Sequence, residues 1–262
     1  MDIRSFESTG AEPGLTATRR RTPGLRHRLL FALIIIQLGL TSLAWNLVAP
    51  IVGLLSSRRT GGRIGRTAAS RIYRWCWHTA EALGMMRIDS SALDALRDEP
   101  GGLIVACNHP TMLDAMVVVA RLPRGVCIMK AELLGNVFLG AGARLAQYIG
   151  NDTGRGMIRD AVASLRDGNQ LVLFPEGTRT VNSPLNAFKP GITLIAHLAQ
   201  APIQTVIVEA DSPYLRKGWP LLRPPPGPVT IRVRLGERFA PEADHRATLQ
   251  RLERYFAREL GR

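Results

Sequence analysis

The chain has few cysteines, and their spacing excludes a disulfide framework. Only Cys76, Cys107 and Cys127 occur in 262 residues, and no two of them form a C-x-x-C pair. Two of the three lie in apolar runs, which favours buried free thiols over disulfides or a metal site. Free thiols are typical of reducing compartments, so we expect the main domain to face the cytoplasm. The chain also has no internal repeat.

Acidic residues are scarce relative to basic ones. There are 34 Lys and Arg, of which only three are Lys, against 21 Asp and Glu, and the formal net charge is +13. Such a chain needs an anionic partner: nucleic acid, an anionic membrane face or an acidic substrate. The segments 19–28 and 58–74 hold eleven Arg and no acid, and they bracket an apolar stretch. This arrangement favours an anionic membrane surface and argues against nucleic acid.

Charge is absent altogether from residues 29–55, LLFALIIIQLGLTSLAWNLVAPIVGLL. About 20 apolar residues suffice to span a bilayer, so a membrane segment is the default interpretation. A cleaved signal peptide is the alternative, but the preceding leader is long and LVAP is a poor cleavage site. Arg flanks both ends, so the segment either spans the membrane or, as we prefer, dips into one leaflet with both ends cytoplasmic. We therefore predict a disordered Arg-rich leader over 1–28 and a membrane-anchoring helical region over 29–86.

From residue 87 to 262 the pattern predicts an α/β domain. Short apolar runs alternate with longer amphipathic ones, and strands are predicted at 103–107, 125–129, 170–174, 202–208 and 229–235. Helices are predicted at 112–120, 131–148, 155–167, 187–199 and 242–260. The first four strands are continuously apolar, as in a sheet covered on both faces, whereas 229–235 alternates and belongs nearer an edge. The expected fold is a mostly parallel or mixed sheet flanked by helices, with an N-terminal membrane-associated helical segment.

Polar chemistry is concentrated just after the first strand, in CNHPTMLD (107–114). His109 precedes a proline and should be extended, at the carboxyl end of its strand. Asp114 would fall in the first turn of the next helix, where its carboxylate can reach the imidazole. The spacing T-x-x-D from Thr111 to Asp114 also fits a helix cap, so a general base with its orienting carboxylate and a purely structural cap both remain open.

A second motif, FPEGTRT (174–180), follows the strand at 170–174. Gly177 permits a close approach of the backbone, and Arg179 offers a planar fork suited to phosphate. Together, NHPTMLD, FPEGTRT, AFKPGI (187–192) and API (201–203) resemble the membrane lysophospholipid acyltransferase family, whose typical member is 1-acyl-glycerol-3-phosphate acyltransferase. The resemblance covers roughly 70–210 and makes 87–262 an acyltransferase domain.

The resemblance implies transfer of an acyl group from acyl-CoA or acyl carrier protein to the hydroxyl of a lysolipid. His109 would then take the hydroxyl proton and Asp114 would hold the ring. The acceptor would be bound by residues of the second motif, Glu176, Gly177, Thr178 and Arg179. The resemblance implies no metal and no redox cofactor, and a place on the bacterial inner membrane with the domain facing the cytoplasm.

The block GARLAQYIGNDTGRG (142–156) departs from the family pattern. The family has an arginine for the acceptor phosphate where this chain has Asn151 or Asp152. Either Arg155 or Arg144 substitutes, or the acceptor is not a simple lysophosphatidic acid, as in a divergent branch linked to specialised lipids of the aryl-polyene type. Lys130, at the end of a predicted strand, either lines the same crevice or is a solvated strand end.

Two rival chemistries remain open at the sequence level. A membrane-anchored thioesterase or other hydrolase would use water in place of the acceptor hydroxyl, but the serine signature G-x-S-x-G is absent. Cys107 lies two residues from His109, so a Cys–His nucleophile is conceivable, although a buried structural thiol fits the apolar run better.

Overall fold

The computed structural model describes residues 23–152, 154–182 and 184–261. Most of the predicted leader, 1–22, therefore lies outside the described residues. The first helix, α1, runs from Leu25 to Leu55 and begins four residues before the predicted apolar segment. It continues through Pro50 without a break, so no hairpin turn occurs inside the apolar stretch.

Helix α2 (Arg58–Ala82) follows α1 directly and is capped by Ser57, whose hydroxyl accepts a hydrogen bond from the Thr60 amide at 3.3 Å. Helix α1 is the one described helix that is long and apolar enough to cross a membrane, and most of its surface is not covered by the protein. Its exposed side chains include Leu33, Leu40 and Ile51, which are each more than half exposed.

A seven-stranded mixed sheet forms the centre of the molecule, in the order β1-β7-β6-β2-β5-β3-β4. Five neighbouring strands, β6 to β4 in that order, are parallel, and β7 and β1 run in the opposite direction. The strands are β1 (Met86–Asp89), β2 (Leu103–Cys107), β3 (Gly125–Met129), β4 (Ile149–Gly150), β5 (Gln170–Leu173), β6 (Ile203–Ala210) and β7 (Val229–Phe239).

All five predicted strands are present, and the mixed α/β sheet flanked by helices is confirmed. The alternating strand β7 lies near the edge of the sheet, as its pattern indicated. It is second from the edge, and the short strand β1 pairs with its outer side. The remaining helices are α3 (Asp114–Arg121), α4 (Gly140–Leu145), α5 (Arg155–Arg166), α6 (Gly191–Ala199) and α7 (His245–Leu260).

The predicted helix over 131–148 is wrong. The segment instead contains a 3₁₀ turn at Ala131–Gly135, the six-residue helix α4 and the approach to β4. Gly135, Gly140 and Gly142 lower helix propensity here, and tertiary contacts fix the alternative. Strand β1 and the 3₁₀ helix Ser91–Leu96 were missed because their short runs carry no clear period.

The sheet is buried on both faces, which explains its continuously apolar strands. Along β2, Leu103, Val105 and Cys107 pack towards α1, α2 and α3, whereas Ile104 and Ala106 pack towards α5, α6 and α7. All five residues are buried. Alternate side chains along β2 thus pack into two different hydrophobic cores, one on each face of the sheet, and neither set faces solvent.

Helix α1 contacts the rest of the molecule along most of its length. Near its start, His27 Nε2 lies 2.9 Å from the carbonyl of Pro225, and Phe31 meets Tyr214 edge to face. Towards its end, the Asn46 side chain donates to the Phe138 carbonyl and accepts from the Gly142 amide at 3.0 Å. The helix therefore lies alongside the α/β domain.

Candidate active site

The carboxyl end of the central strand β2 carries a His–Asp pair. Strand β2 ends at Cys107, and His109 lies in the irregular connection before the helix α3 begins at Asp114. Nδ1 of His109 lies 3.0 Å from Oδ2 of Asp114. The Asp114 side chain is fully buried, and the His109 side chain keeps 17% of its surface exposed. With Nδ1 held by a carboxylate, the free lone pair of the neutral ring is on Nε2.

Asp114 also satisfies the amide donors that precede α3. Its Oδ2 accepts from the Thr111 amide at 2.7 Å, and its Oδ1 accepts from the Thr111 hydroxyl at 2.6 Å. That hydroxyl in turn accepts from the Leu113 amide at 3.2 Å. The helix cap predicted at Thr111 is not formed as such, because α3 begins at Asp114 after Leu113 and has no side-chain cap bond. The Asp114 carboxylate nevertheless holds both the turn before α3 and the imidazole.

Asn108 fixes the start of this turn to the neighbouring strand. Its side-chain oxygen accepts from the Val208 amide at 2.7 Å, and its side-chain nitrogen donates to the Val208 carbonyl at 2.8 Å. The Asn108 side chain thus adds one more pair of hydrogen bonds between the end of β2 and β6, and it fixes the backbone just before His109.

The second motif wraps around His109. The buried Glu176 carboxylate accepts from the His109 amide at 3.0 Å, from the Thr180 hydroxyl at 2.8 Å and from the Asn186 amide at 2.9 Å. The Thr180 amide donates back to the His109 carbonyl at 2.8 Å. Glu176 therefore faces protein donors and not solvent. The family resemblance predicted that Glu176 binds the acceptor. Its observed hydrogen bonds instead join the NHPTMLD and FPEGTRT motifs.

Phe174 and Gly177 shape the wall beside the imidazole. The Phe174 ring stacks on His109 with centroids 4.1 Å apart and an interplanar angle of 26°. Gly177 has φ +70°, a conformation that side-chain-bearing residues rarely adopt. The Lys189 side chain lies over Gly177, with its Cγ 3.4 Å from where a Cβ would be. Gly177 and Thr178 are at least partly accessible to solvent.

Arg179 is half-buried and already engaged through one nitrogen. Its Nη1 donates to the carbonyls of Leu215 at 2.9 Å and Arg216 at 3.2 Å. These contacts orient the guanidinium and attach the FPEGTRT turn to the segment after β6.

Lys130 and Arg155 follow strands at the same edge of the sheet as His109, but not the strand that carries it. Lys130 follows β3, two strands from β2, which is about 10 Å across the sheet. Arg155 opens α5 after β4, three strands away, and both side chains are exposed. Arg144 is also exposed and donates to the Leu134 carbonyl. Among the described residues, no hydrogen bond or ion pair brings any of the three to the His–Asp pair.

The geometry argues against a cysteine nucleophile. Cys107 has no exposed surface, and burial raises the pKa of its thiol well above the ordinary value, with Asp114 adding to the effect. All three cysteines are free and buried, as predicted. In the part of the chain that the structure describes, no group of three or more His, Cys, Asp or Glu side chains could hold a metal ion.

Sequence reasoning missed several residues that build the site. Phe174 belongs to the second motif, but nothing in the sequence shows that its ring stacks on His109. Asn186 accepts from the amides of Val181 and Asn182, both at 3.1 Å, and so orders the loop after Arg179. Leu215 contributes a backbone carbonyl, and its residue type does not indicate that contact.

The chain is similar to known acyltransferases. Residues 87–209 match the sequence model of a family described as Acyltransferase. The chain is 30% identical over 136 residues to a 1-acyl-sn-glycerol-3-phosphate acyltransferase of Cocos nucifera, a match that covers 49% of this chain and 44% of that protein. It is 33% identical over 122 residues to the human 1-acyl-sn-glycerol-3-phosphate acyltransferase beta, covering 42% of each. These matches span less than half the length of the curated relatives.

The fold is similar to a solved structure over nearly the whole chain. The crystal structure of the 1-acyl-sn-glycerophosphate (LPA) acyltransferase PlsC from Thermotoga maritima superposes with a TM-score of 0.66. The superposition covers 90% of this chain and 94% of that one, at 19% sequence identity. At this level of identity the likeness concerns the fold alone.

Proposed function

We propose that the chain is a membrane-bound O-acyltransferase of the family that includes the 1-acyl-sn-glycerol-3-phosphate acyltransferases. The match of residues 87–209 to the family model and the similarity to two such enzymes support the proposal. The chain's acceptor is a lysolipid such as 1-acyl-glycerol-3-phosphate. Its donor is a thioester, acyl-CoA or acyl carrier protein. The main support for the proposal is the contact between the buried Asp114 carboxylate and Nδ1 of His109, just after the carboxyl end of β2.

The proposed reaction uses His109 as general base and then as general acid. Nε2 takes the proton of the acceptor hydroxyl while the hydroxyl oxygen attacks the thioester carbonyl carbon. The resulting tetrahedral intermediate expels the thiolate, which recovers a proton from the imidazolium. Asp114 holds Nδ1–H and stabilises the imidazolium by its charge. The acceptor provides the nucleophile, so no serine or cysteine of the chain is needed.

The second motif supports binding of a phosphate-bearing acceptor. Thr178 and Arg179 lie on the turn whose backbone is hydrogen-bonded to His109. In the described part of the chain only Nη1 of Arg179 makes hydrogen bonds, which leaves Nε and Nη2 for a ligand. A guanidinium matches phosphate with two parallel hydrogen bonds. Glu176 acts in this proposal by holding that turn against His109.

Contacts along α1 support a monotopic attachment. They run from His27 to Asn46, which is about 28 Å of helix, and hold α1 against the domain. A helix crossing the bilayer would place about 20 of its residues in hydrocarbon, and the adjoining domain surface with them. We propose that α1 lies in one leaflet, with the Arg-rich start of α2 at anionic headgroups and the domain on the cytoplasmic side of a bacterial inner membrane.

A hydrolase is the second candidate, because water could replace the acceptor at the same base. The two are distinguished with detergent-solubilised protein, labelled acyl-CoA or acyl carrier protein, and a panel of lysolipids that includes acceptors without glycerophosphate. We expect transfer in the wild type and its loss in His109→Ala. Release of free fatty acid that depends on His109 but on no acceptor would instead establish the hydrolase. Equal inertness of both proteins with every pair would contradict the proposed chemistry.

A further inference from the structure

The segment PYLRKGWPLLR (213–223), here the 213–223 loop, is attached to both active-site motifs by its backbone. The Leu215 carbonyl accepts from the Met112 amide at 3.1 Å, within the NHPTMLD turn. Nη1 of Arg179 donates to the same Leu215 carbonyl at 2.9 Å and to the Arg216 carbonyl at 3.2 Å. The loop therefore lies beside both motifs, although neither NHPTMLD nor FPEGTRT includes it.

The conformation of the 213–223 loop is fixed at this point. Leu215 has φ +57° and is 2% exposed. A left-handed backbone at a residue with a branched side chain costs free energy and persists only where the surroundings enforce it. Tyr214 beside it is buried and meets the rings of Phe31 and Trp219 edge to face, both at 6.0 Å. The next two residues therefore leave the turn at a defined place next to Arg179.

Those two residues are cations that nothing in the described protein neutralises. Arg216 and Lys217 are exposed, and among the described residues neither side chain makes a hydrogen bond or an ion pair. The Arg216 carbonyl is hydrogen-bonded to the Arg179 guanidinium, so the backbone brings these three basic residues, from two separate segments, close together. A phosphate monoester carries a charge near −2 and several acceptor oxygens, so it complements such a group.

The remainder of the 213–223 loop has the composition of a membrane-interface segment. Leu221 and Leu222 are 51% and 72% exposed. Trp219 donates its indole N–H to the Arg223 carbonyl at 2.9 Å, and the Arg223 guanidinium lies 5.1 Å from the indole centroid. Tryptophan, arginine and exposed leucines together are typical of chain at the level of lipid headgroups.

The loop also lies against the membrane helix. Phe31 of α1 packs on Tyr214, and His27 contacts the Pro225 carbonyl just beyond the loop. On the same half of α1, Leu29 and Leu33 are 61% and 51% exposed. The apolar tip of the loop and the apolar surface of α1 thus belong to one end of the molecule.

We propose that the 213–223 loop is where the lysolipid acceptor docks. Leu221 and Leu222 enter the outer part of the bilayer, and Arg216 and Lys217 receive the phosphate monoester beside Arg179. This inference rests on the proposed function and names the part of the chain that selects a phosphorylated acceptor. It also supplies the positive charge that the block 142–156 lacks at Asn151 and Asp152.

The test removes both cations and measures transfer and binding separately. In neutral detergent micelles, Arg216→Ala/Lys217→Ala should raise the KM for 1-acyl-glycerol-3-phosphate about tenfold or more, with kcat changed much less, since each lost charge-assisted contact weakens binding several-fold. The matched control, Arg246→Ala/Arg254→Ala, removes the same charge from exposed positions on α7 and should change neither value. An unchanged KM in an active double variant would overturn the inference.

Equilibrium binding keeps the inference testable if transfer fails. His109→Ala protein in neutral micelles should bind 1-acyl-glycerol-3-phosphate more tightly than 1-acylglycerol, and the added Arg216→Ala/Lys217→Ala change should abolish that preference. If the preference is absent or survives the change, the loop does not hold the phosphate. If the preference depends on Arg216 and Lys217 as predicted but the wild type shows no transferase activity, the loop binds the phosphate and the proposed function is wrong.

A second pair of substitutions tests the lipid side and separates acceptor phosphate from bilayer headgroups. Leu221→Asn/Leu222→Asn should lower the rate on uncharged phosphatidylcholine vesicles relative to the rate on micelles by about tenfold. If the ratio of the vesicle rate to the micelle rate is the same in this variant and the wild type, Leu221 and Leu222 do not insert into the bilayer. If Arg216→Ala/Lys217→Ala impairs transfer only on anionic vesicles and not in neutral micelles, the two cations bind bilayer headgroups and the acceptor assignment is wrong.

Discussion

The Glu176 carboxylate accepts a hydrogen bond from the backbone amide of His109 at 3.0 Å, across 67 residues of sequence. Its other partners, the Thr180 hydroxyl and the Asn186 amide, lie on the loop that carries Arg179. One buried side chain therefore sets the distance between the base and the proposed phosphate-binding turn. A carboxylate suits this position because all three of its partners are donors.

Glu176→Gln should lower both stability and kcat. The amide NH₂ would meet a donor in place of an acceptor oxygen, and leaving a buried donor unpaired costs about 1–3 kcal/mol. Thermal unfolding and acyl-transfer kinetics measure the two effects. Unchanged unfolding together with a raised KM alone would show that Glu176 acts as an acceptor ligand.

Asp114→Asn and Asp114→Ala should separate catalysis from capping. The asparagine oxygen can keep the bonds to the His109 ring and the Thr111 amide, and its NH₂ can donate to the Thr111 hydroxyl, but the negative charge is lost. We expect kcat to fall about 10²-fold or more with little change in the unfolding temperature. Asp114→Ala should lose activity and also about 1–2 kcal/mol of stability, because the turn before α3 loses its acceptor. Equal unfolding temperatures for the two variants would contradict the capping role.

Cys107→Ala should retain transfer activity. The thiol is buried and its pKa is raised well above the ordinary value, so it stays protonated and cannot act as a nucleophile at neutral pH. Burial also raises the pKa of Cys76 to about 11 and that of Cys127 to about 12. Thiol titration of the folded protein at pH 8 should therefore show no fast-reacting group. Activity lost in Cys107→Ala while the unfolding temperature is kept would revive the Cys–His alternative.

Gly65→Ala should destabilise the junction between α2 and α4. A Cβ at position 65 would lie 2.6 Å from the backbone nitrogen of Ala146, and a backbone atom cannot rotate away. Overpacking of this kind costs about 1–3 kcal/mol. Gly39→Ala on α1 is the control, because nothing lies within 4 Å of its Cβ position. Unfolding in detergent should place Gly65→Ala below the wild type and Gly39→Ala at or above it; equal shifts would contradict the close contact.

The monotopic attachment is tested by labelling single cysteines at the two ends of α1. Gly24→Cys and Ser57→Cys are exposed positions, and the three natural thiols are buried. In sealed inverted membrane vesicles, a reagent that cannot cross the membrane should label both new thiols. Labelling of only one of them would establish a spanning helix.

Local pattern was enough for the five predicted strands and for the two motifs, but not for the short strands β1 and β4. Strands β2, β3, β5 and β6 are buried on both faces, so their sequences are continuously apolar and their positions follow from composition. His109 was placed correctly because a residue before proline is kept out of the helical region. The helix over 131–148 was wrong because three glycines and the contact of Asn46 with Phe138 and Gly142 break it. That contact joins residues almost a hundred positions apart, and no local pattern contains it.

By itself the sequence determined the α/β class, the apolar helix at the N-terminus and the residue types of the His–Asp pair, because these depend on period, length and immediate neighbours. The tertiary structure decided how Glu176 is used, that Phe174 stacks on His109 and that the Leu215 carbonyl joins both motifs. These relationships depend on backbone groups and on side chains brought together by sheet order. A backbone carbonyl is present in every residue, so the sequence cannot mark the one that matters.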